Sequence, residues 1–318
     1  MGSIQWKLEP AEPITMPGPV DCNSPRFWSE GVMYLFNSWG RPRRSQGLSV
    51  AELGGSVECE WDGPPKMTWW IESVCYDAER DLLHGWYHHE PVGLAPGTNL
   101  TAPVIGAAVS EDKGLTWHNL GPVIASGYPI DPSYDNGYFV GGTGDFCVLP
   151  DREREHFWFF FSTYGGPVEE QGIAVARSRF EERGGPGTVW RYWQGKWEAP
   201  GLGGKATPVL GTKLGWKGPK VFDCPWGPSV HWNSHLRCYV MLLNRALRHG
   251  WAGDAVEISF CEDLVCWTEP EVLYQSGGTA PWYPTIAGAG PGESDTRCGR
   301  VGRLFLRERS EHVIEFWR

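Results

Sequence analysis

One unit returns five times along this chain, and its return limits the fold more than any other feature. Each copy has a short strand starting at a polar or aromatic residue, a turn, and a strongly apolar second strand. Most then continue into an outer segment of the form Gly-x-x-Val. The first copy comprises Ser24 to Trp28, Val32 to Asn37 and Gly47 to Val50; the second, Glu72 to Tyr76, Leu83 to His88 and Gly106 to Ser110. The third comprises Asp145 to Leu149, Phe157 to Phe161 and Gly172 to Ala176; the fourth, Pro228 to Trp232, Tyr239 to Leu243 and Val256 to Ser259. The fifth runs from Tyr283 to Ile286, then Arg303 to Leu306 and Val313 to Trp317. Copies start about 65 residues apart, enough for a four-stranded antiparallel blade with long loops. Residues 1–318 therefore read as one all-β domain, a five-bladed β-propeller. The fifth copy stops after three strands. Ser3 to Leu8 is expected to supply the fourth, closing the ring by joining the N-terminal strand to the last blade and removing exposed sheet edges. A β-sandwich permits the same alternation and is the competing architecture.

Composition removes other classes. With 42 glycines and 26 prolines in 318 residues, long helices are interrupted everywhere. The 41% hydrophobic and 14% aromatic content supplies enough burial to offset the entropy of ordering. A formal net charge of −10 argues against a nucleic-acid partner, which demands clustered Lys and Arg. No apolar run approaches about 18 residues, so no membrane partner is expected. Met1 to Trp6 lacks the basic and apolar regions of a signal peptide. A cytoplasmic location is expected, with secretion the alternative if a signal peptide has been removed. Nine cysteines without a CxxC pair fit reduced thiols.

Ser110-Glu111-Asp112-Lys113-Gly114-Leu115-Thr116-Trp117 fits the Asp-box pattern S-x-D-x-G-x-T-W. Asp accepts backbone hydrogen bonds, Gly permits a positive φ, and Trp packs under the hairpin. The motif supports a fold and says little about chemistry. Glu262-Asp263-Leu264, ending at Trp267, is a degenerate copy.

In a propeller the innermost strand of every blade begins at the central funnel, so residues distant in sequence converge there. These starts carry Asp21 and Asn23, Glu72, Asp145, Asp223 with Trp226, and Trp282 with Tyr283. Cleaving a glycosidic bond needs two carboxyl groups, a proton donor with a raised pKa and a base or nucleophile, and a third can hold the donor's pKa up. Glu72 follows Trp69 and Trp70 in a β run, where an unpaired charge is costly unless it faces a funnel. Asp145 follows Gly141-Gly142-Thr143-Gly144, which allows close backbone approach but lacks the Lys of a phosphate loop. Asp21, after Pro17-Gly18-Pro19, is open to a turn-capping role. Asp223 reads more readily as a strand-end turn residue.

Asn23, Arg26, Trp70, His88, His89, Glu90, Trp226, His231, Trp282 and Tyr283 are the candidate substrate-binding residues. The aromatic rings can stack on the apolar C–H faces of sugars or serve as core. Adjacent histidines on a strand point to opposite faces, so His88 and His89 do not readily share a zinc ion. A buried, hydrogen-bonded His231 competes with ligand contact. Cys22, Cys147 and Cys224 near strand starts read as small buried hydrophobes. No metal and no cofactor are expected.

Val20-Asp21-Cys22-Asn23-Ser24-Pro25, followed by Tyr34-Leu35-Phe36, resembles the first-blade Asp motif and following strand of the five-bladed arabinanase, xylosidase and invertase-type glycoside hydrolases. Those families carry acids at the inner-strand starts of their first three blades. The resemblance implies that Asp21 is the base or nucleophile. The second and third acids here are Glu72 and Asp145, where those families have Asp then Glu, so the resemblance does not itself assign the proton donor.

The leading expectation is a glycoside hydrolase acting on a glycoside, oligosaccharide or polysaccharide, with Glu72 as proton donor and Asp21 or Asp145 as base or nucleophile. A sialidase fits less well, because it resembles six-bladed propellers with three arginines and only Arg26 stands on an inner strand. A carbohydrate-binding propeller would keep the aromatics without needing three axial acids. A protein-interaction propeller would expose an apolar face instead.

Overall fold

A computed structural model of the protein describes residues 3–62, 68–94, 100–218, 221–248, 251, 253–277 and 280–318. Their strands form five sheets, each built outward from the first strand of one sequence unit. The first sheet takes Arg26–Ser29, Val32–Ser38, Pro42–Gly47 and Val57–Glu58. The second takes Trp69–Asp77, Leu82–His89, Val104–Ser110 and Thr116–Ile124, with Glu60–Asp62 added in parallel on its outer edge. The third takes Thr143–Pro150, His156–Thr163, Gly172–Arg179, Trp190–Trp193 and Lys196–Pro200. The fourth takes Val221–Asn233, Cys238–Arg248, Ala255–Cys261 and Glu271–Gln275.

The fifth sheet takes Pro284–Gly288, Val301–Leu306 and Arg309–Trp317, and its outermost strand is Gln5–Thr15 from the N-terminus. Gln5 lies opposite Trp317 and Thr15 opposite Arg309, with an irregularity between Pro10 and Ile14. This strand runs further than the Ser3 to Leu8 expectation. Pro10 and Pro13 did not end it, because a strand at a sheet edge tolerates missing N–H donors.

Phe157-Trp158-Phe159-Phe160-Phe161 shows why the blades stand where they do. Alternate residues of a strand face opposite sides. Phe157, Phe159 and Phe161 pack with Trp86, Ile105 and Ala107 of the second blade. Trp158 and Phe160 pack with Val230, Tyr239 and Met241 of the fourth. A continuous apolar run is what a strand buried on both faces requires, and each fully buried Phe contributes about 1.5–3 kcal/mol. The same layering joins blades one and two through Phe27, Phe36 and Trp69, and blades four and five through Leu242, Ile286 and Ile314. Five sheets separated by such layers form a propeller, and the sandwich is set aside.

The contact between the fifth unit and the first is more polar. Trp28 donates its indole N–H to the carbonyl of Glu293, and Asp295 accepts the Arg26 backbone N–H at 2.9 Å. On the outer edge of blade two, Asp112 accepts the backbone N–H groups of Leu115 and Thr116, both at 2.9 Å. Ser110 Oγ accepts that of Gly114, and Trp117 is fully buried beneath the turn.

Candidate active site

Three inner strands break their register at the same level. In the second blade the break falls between Ile71 and Ser73, in the third between Gly144 and Phe146, and in the fourth between Trp226 and Ser229. The residues left over are Glu72, Asp145 and the Gly227-Pro228 pair. A bulge turns its extra residue out of the two-residue alternation and releases ladder hydrogen bonds. Asp145 takes φ +42°, a left-handed conformation rare for a non-glycine residue and typical of sites that hold a side chain in a fixed direction.

The released groups bind one another. Glu72 Oε2 accepts the Phe146 backbone N–H at 2.9 Å, and Asn23 Nδ2 donates to the carbonyls of Phe146 (2.8 Å) and Pro228 (2.9 Å). Asn23 thus ties the first blade to the third and fourth. Gly144 carries no side chain for a local reason: a Cβ there would lie 2.5 Å from His88 Cε1.

Around this girdle lies a pocket open to solvent. Asp21, His88, Glu90 and Asp145 supply its polar wall, while Trp70, Trp226, Trp282, Tyr283, Tyr138, Phe139 and Trp251 supply the aromatic wall. The indole Nε1 atoms of Trp70, Trp226, Trp251 and Trp282 are buried without a protein acceptor among the described residues. Buried indoles normally find one, so four orphan donors around one pocket suit a ligand rich in oxygen acceptors.

The expected site residues divide. Glu72 does not line the pocket: it is 1% exposed and stands behind His88, whose Nδ1 lies 3.1 Å from Glu72 Oε1. Asn23 is a buried brace. Arg26 points away, donating to the Ser24 carbonyl and facing Asp295. His89 takes the opposite side of its strand, with Nδ1 2.8 Å from the Thr68 carbonyl. His231 is fully enclosed near Phe316, and burial lowers its pKa to about 3. Cys22, Cys147 and Cys224 are buried and none lines the pocket.

Residues outside the expected set complete it. Tyr164, buried, donates its hydroxyl to Asp145 Oδ2. Tyr138 and Phe139 come from the long connection between blades two and three, and Trp251 from the segment after Cys238–Arg248. Arg307 stacks its guanidinium 4.9 Å over the Trp282 ring. The Tyr138-Phe139 pair just ahead of the glycine run was the available sequence signal. Trp251 lies in a segment without periodicity, and Arg307 sits in the tight turn between Val301–Leu306 and Arg309–Trp317, where strand alternation says nothing of its direction.

Electrostatics separates the acids. Burial raises the pKa of Asp145 to about 7; the His88 charge opposes this and the Glu72 charge adds to it. Burial also raises Asp21 to about 6, against the pull of Arg307. Glu72 is raised by burial, partly offset by its hydrogen bond to His88. Burial pushes His88 down, but its bonds to Glu72 and Glu90 outweigh that and leave it raised. Glu72 and His88 therefore hold a proton between them. Glu72, His88 and Asp145 also offer potential metal-ligand atoms within 4.8 Å of one another. Within it, Glu72 Oε2 accepts the Phe146 N–H, Glu72 Oε1 faces His88 Nδ1, and Asp145 Oδ2 accepts the Tyr164 hydroxyl.

No family model and no curated protein matches the chain. Solved structures do. An endo-arabinase from Bacteroides thetaiotaomicron superposes with a TM-score of 0.54 at 15% identity, over 96% of this chain and 97% of that one. An exo-β-1,3-galactanase from Phanerochaete chrysosporium, in complex with β-1,3-galactotriose, gives a TM-score of 0.55 at 10% identity over 96% of this chain. The chain has the fold of five-bladed glycoside hydrolases. It spans 64% of the galactanase's length. An N-acetylgalactosamine deacetylase from F. plautii, in complex with blood group B trisaccharide, gives a TM-score of 0.55 at 12% identity, over 98% of this chain and 96% of that one. One propeller thus supports more than one reaction on sugars.

Proposed function

We propose that the chain is a glycoside hydrolase whose chemistry takes place between Asp145 and Asp21. The observation that carries this reading is that the buried Asp145 and the half-buried Asp21 line the same aromatic pocket, whose walls hold unpartnered indole N–H donors. Asp145, with a pKa near 7, is protonated at neutral pH in a useful fraction and serves as proton donor to the leaving oxygen. Asp21, titrating lower, is ionised and serves as base toward water or as nucleophile at the anomeric carbon. The donor role expected for Glu72 passes to Asp145, because Glu72 does not reach the pocket. Glu72 instead keeps Asp145 protonated through its charge and holds His88 in place.

The aromatic walls supply stacking surfaces for sugar rings, and the indole N–H groups meet hydroxyl oxygens. A carbohydrate-binding propeller without catalysis would use the same walls but has no need for two carboxyl groups with raised pKa values. The test is a panel of aryl-glycosides, oligosaccharides and N-acetylated sugars, with released sugars and acetate both identified. Sugar release from the oligosaccharides abolished by Asp145→Asn supports the reading. Acetate release alone would replace it with deacetylation.

A further inference from the structure

The turn that joins Val32–Ser38 to Pro42–Gly47 in the first blade is tied to the pocket from two sides. Ser38, fully buried, accepts the Asp21 backbone N–H on its carbonyl at 2.8 Å, and its Oγ accepts the Ile71 backbone N–H at 3.2 Å. The Gly40 carbonyl accepts the Trp69 backbone N–H at 3.1 Å, and Gly40 takes φ +68°, a left-handed conformation that costs glycine nothing sterically. Asp21 lines the pocket, and so does Trp70, the residue between Trp69 and Ile71. Trp39, between Ser38 and Gly40, therefore stands where blades one and two meet beside the pocket.

The Trp39 side chain is left in solvent. It is 61% exposed, more than any other of the 19 tryptophans. Among the described residues its ring stacks on no aromatic or cationic side chain, and its indole N–H meets no acceptor. An apolar layer lies next to it: Trp61, Trp69 and Trp117 pack between the same two blades, and Trp39 is outside that cluster. Leaving so large an apolar ring in water forgoes the free energy of burial.

The residues around it are polar. Thr68 is exposed, with its methyl group close to Gly40, and Arg41 pairs with Glu58 at 3.5 Å. One flat apolar face in such surroundings is far smaller than a protein interface and matches the C–H face of one sugar ring with hydroxyl groups at its edge.

We propose that Trp39 is an outer stacking platform for a further sugar unit of a saccharide whose reacting unit sits in the pocket. The natural substrate is then an oligosaccharide or polysaccharide, and not a single sugar on a small aglycone. Because the turn is fixed to the backbone of Asp21 and Trp69, the platform is held ready and binding orders no loop. The inference rests on the saccharide reading of the pocket, and not on which acid donates the proton.

Calorimetric titration of the full chain carrying Asp145→Asn, which leaves its ligands uncut, tests this with arabinose, xylose and galactose oligomers of two and five units. The pentamer of the preferred sugar binds more tightly than the dimer. Adding Trp39→Ala weakens the pentamer about fivefold or more, as loss of a stacking contact requires, and the dimer less, so the advantage of length shrinks. Adding Trp39→Tyr instead keeps an aromatic face and retains most of that advantage, which separates stacking from damage to the fold. Aryl-glycoside hydrolysis by the chain with Asp145 intact reports on the reaction separately. If nothing is cleaved while Trp39→Ala still removes the length advantage, the platform stands and the hydrolase reading falls. The same length advantage with and without the Trp39 ring, or no binding of any oligomer, would overturn the proposal.

Discussion

The backbone N–H of Asp145 donates to Nδ1 of His88 at 3.1 Å, and the same nitrogen faces Glu72 Oε1 at 3.1 Å. His88 Nδ1 therefore faces both the amide of the Asp145 bulge and the buried Glu72 carboxyl. His88 is thus a post to which the bulge at Asp145 and the buried acid at Glu72 are both tied.

Replacing that post has a defined outcome. His88→Ala leaves Glu72 buried without its main partner and the Asp145 amide without an acceptor. Breaking a buried pair from one side costs about 3–5 kcal/mol. Urea unfolding of wild type and variant measures it, and a loss below about 1 kcal/mol would mean that His88 is not a support.

The contribution of Asp145 and Asp21 to stability falls as pH rises through the acid range. Asp145 titrates at about 7 and Asp21 at about 6 in the folded state, against about 3.9 for an unfolded Asp. Below pH 4 both states are protonated and this stabilising contribution is fully present. Between pH 4 and 7 the unfolded chain releases its protons first, so the contribution is lost as pH passes the folded values. At about 1.4 kcal/mol per unit, Asp145 accounts for a few kcal/mol. Asp145→Asn shrinks the stability difference between pH 4.5 and pH 8. An unchanged difference in urea melts at the two pH values would show that Asp145 is not held protonated.

Asn23 separates bracing from binding. Its amide donates to carbonyls in two other blades, so Asn23→Ala removes two buried hydrogen bonds and leaves their acceptors unsatisfied. A destabilisation of about 2–4 kcal/mol is expected. A direct substrate contact would instead raise KM at full stability.

The architecture was legible because it is written as repetition. The run Phe157 to Phe161 and its counterparts announce strands buried on both faces, and their spacing counts the blades. The inner-strand starts brought Asp21, Asp145, Trp70, Trp226, Trp282 and Tyr283 to one pocket, and the end of the second strand of blade two brought His88 and Glu90. The bulges were not legible. Two-residue alternation cannot show that Glu72 turns behind His88 while Asp145 faces the cavity, or that Arg26 and His231 face away from it. Tyr138 and Trp251 were missed because irregular loops carry no period, and Arg307 because it occupies a hairpin turn; only tertiary packing sets Tyr138 and Trp251 in the pocket and Arg307 over Trp282.

The most direct measurement compares hydrolysis of aryl-glycosides with good and poor leaving groups by wild type, Asp21→Asn and Asp145→Asn. Both substitutions should lower kcat about 10²- to 10⁴-fold on poor leaving groups while the fold is retained. With good leaving groups Asp145→Asn should recover much of its rate, since little protonation is needed, whereas Asp21→Asn should not. Hydrolysis at wild-type rates by either variant across the series would contradict the assignment of these two acids.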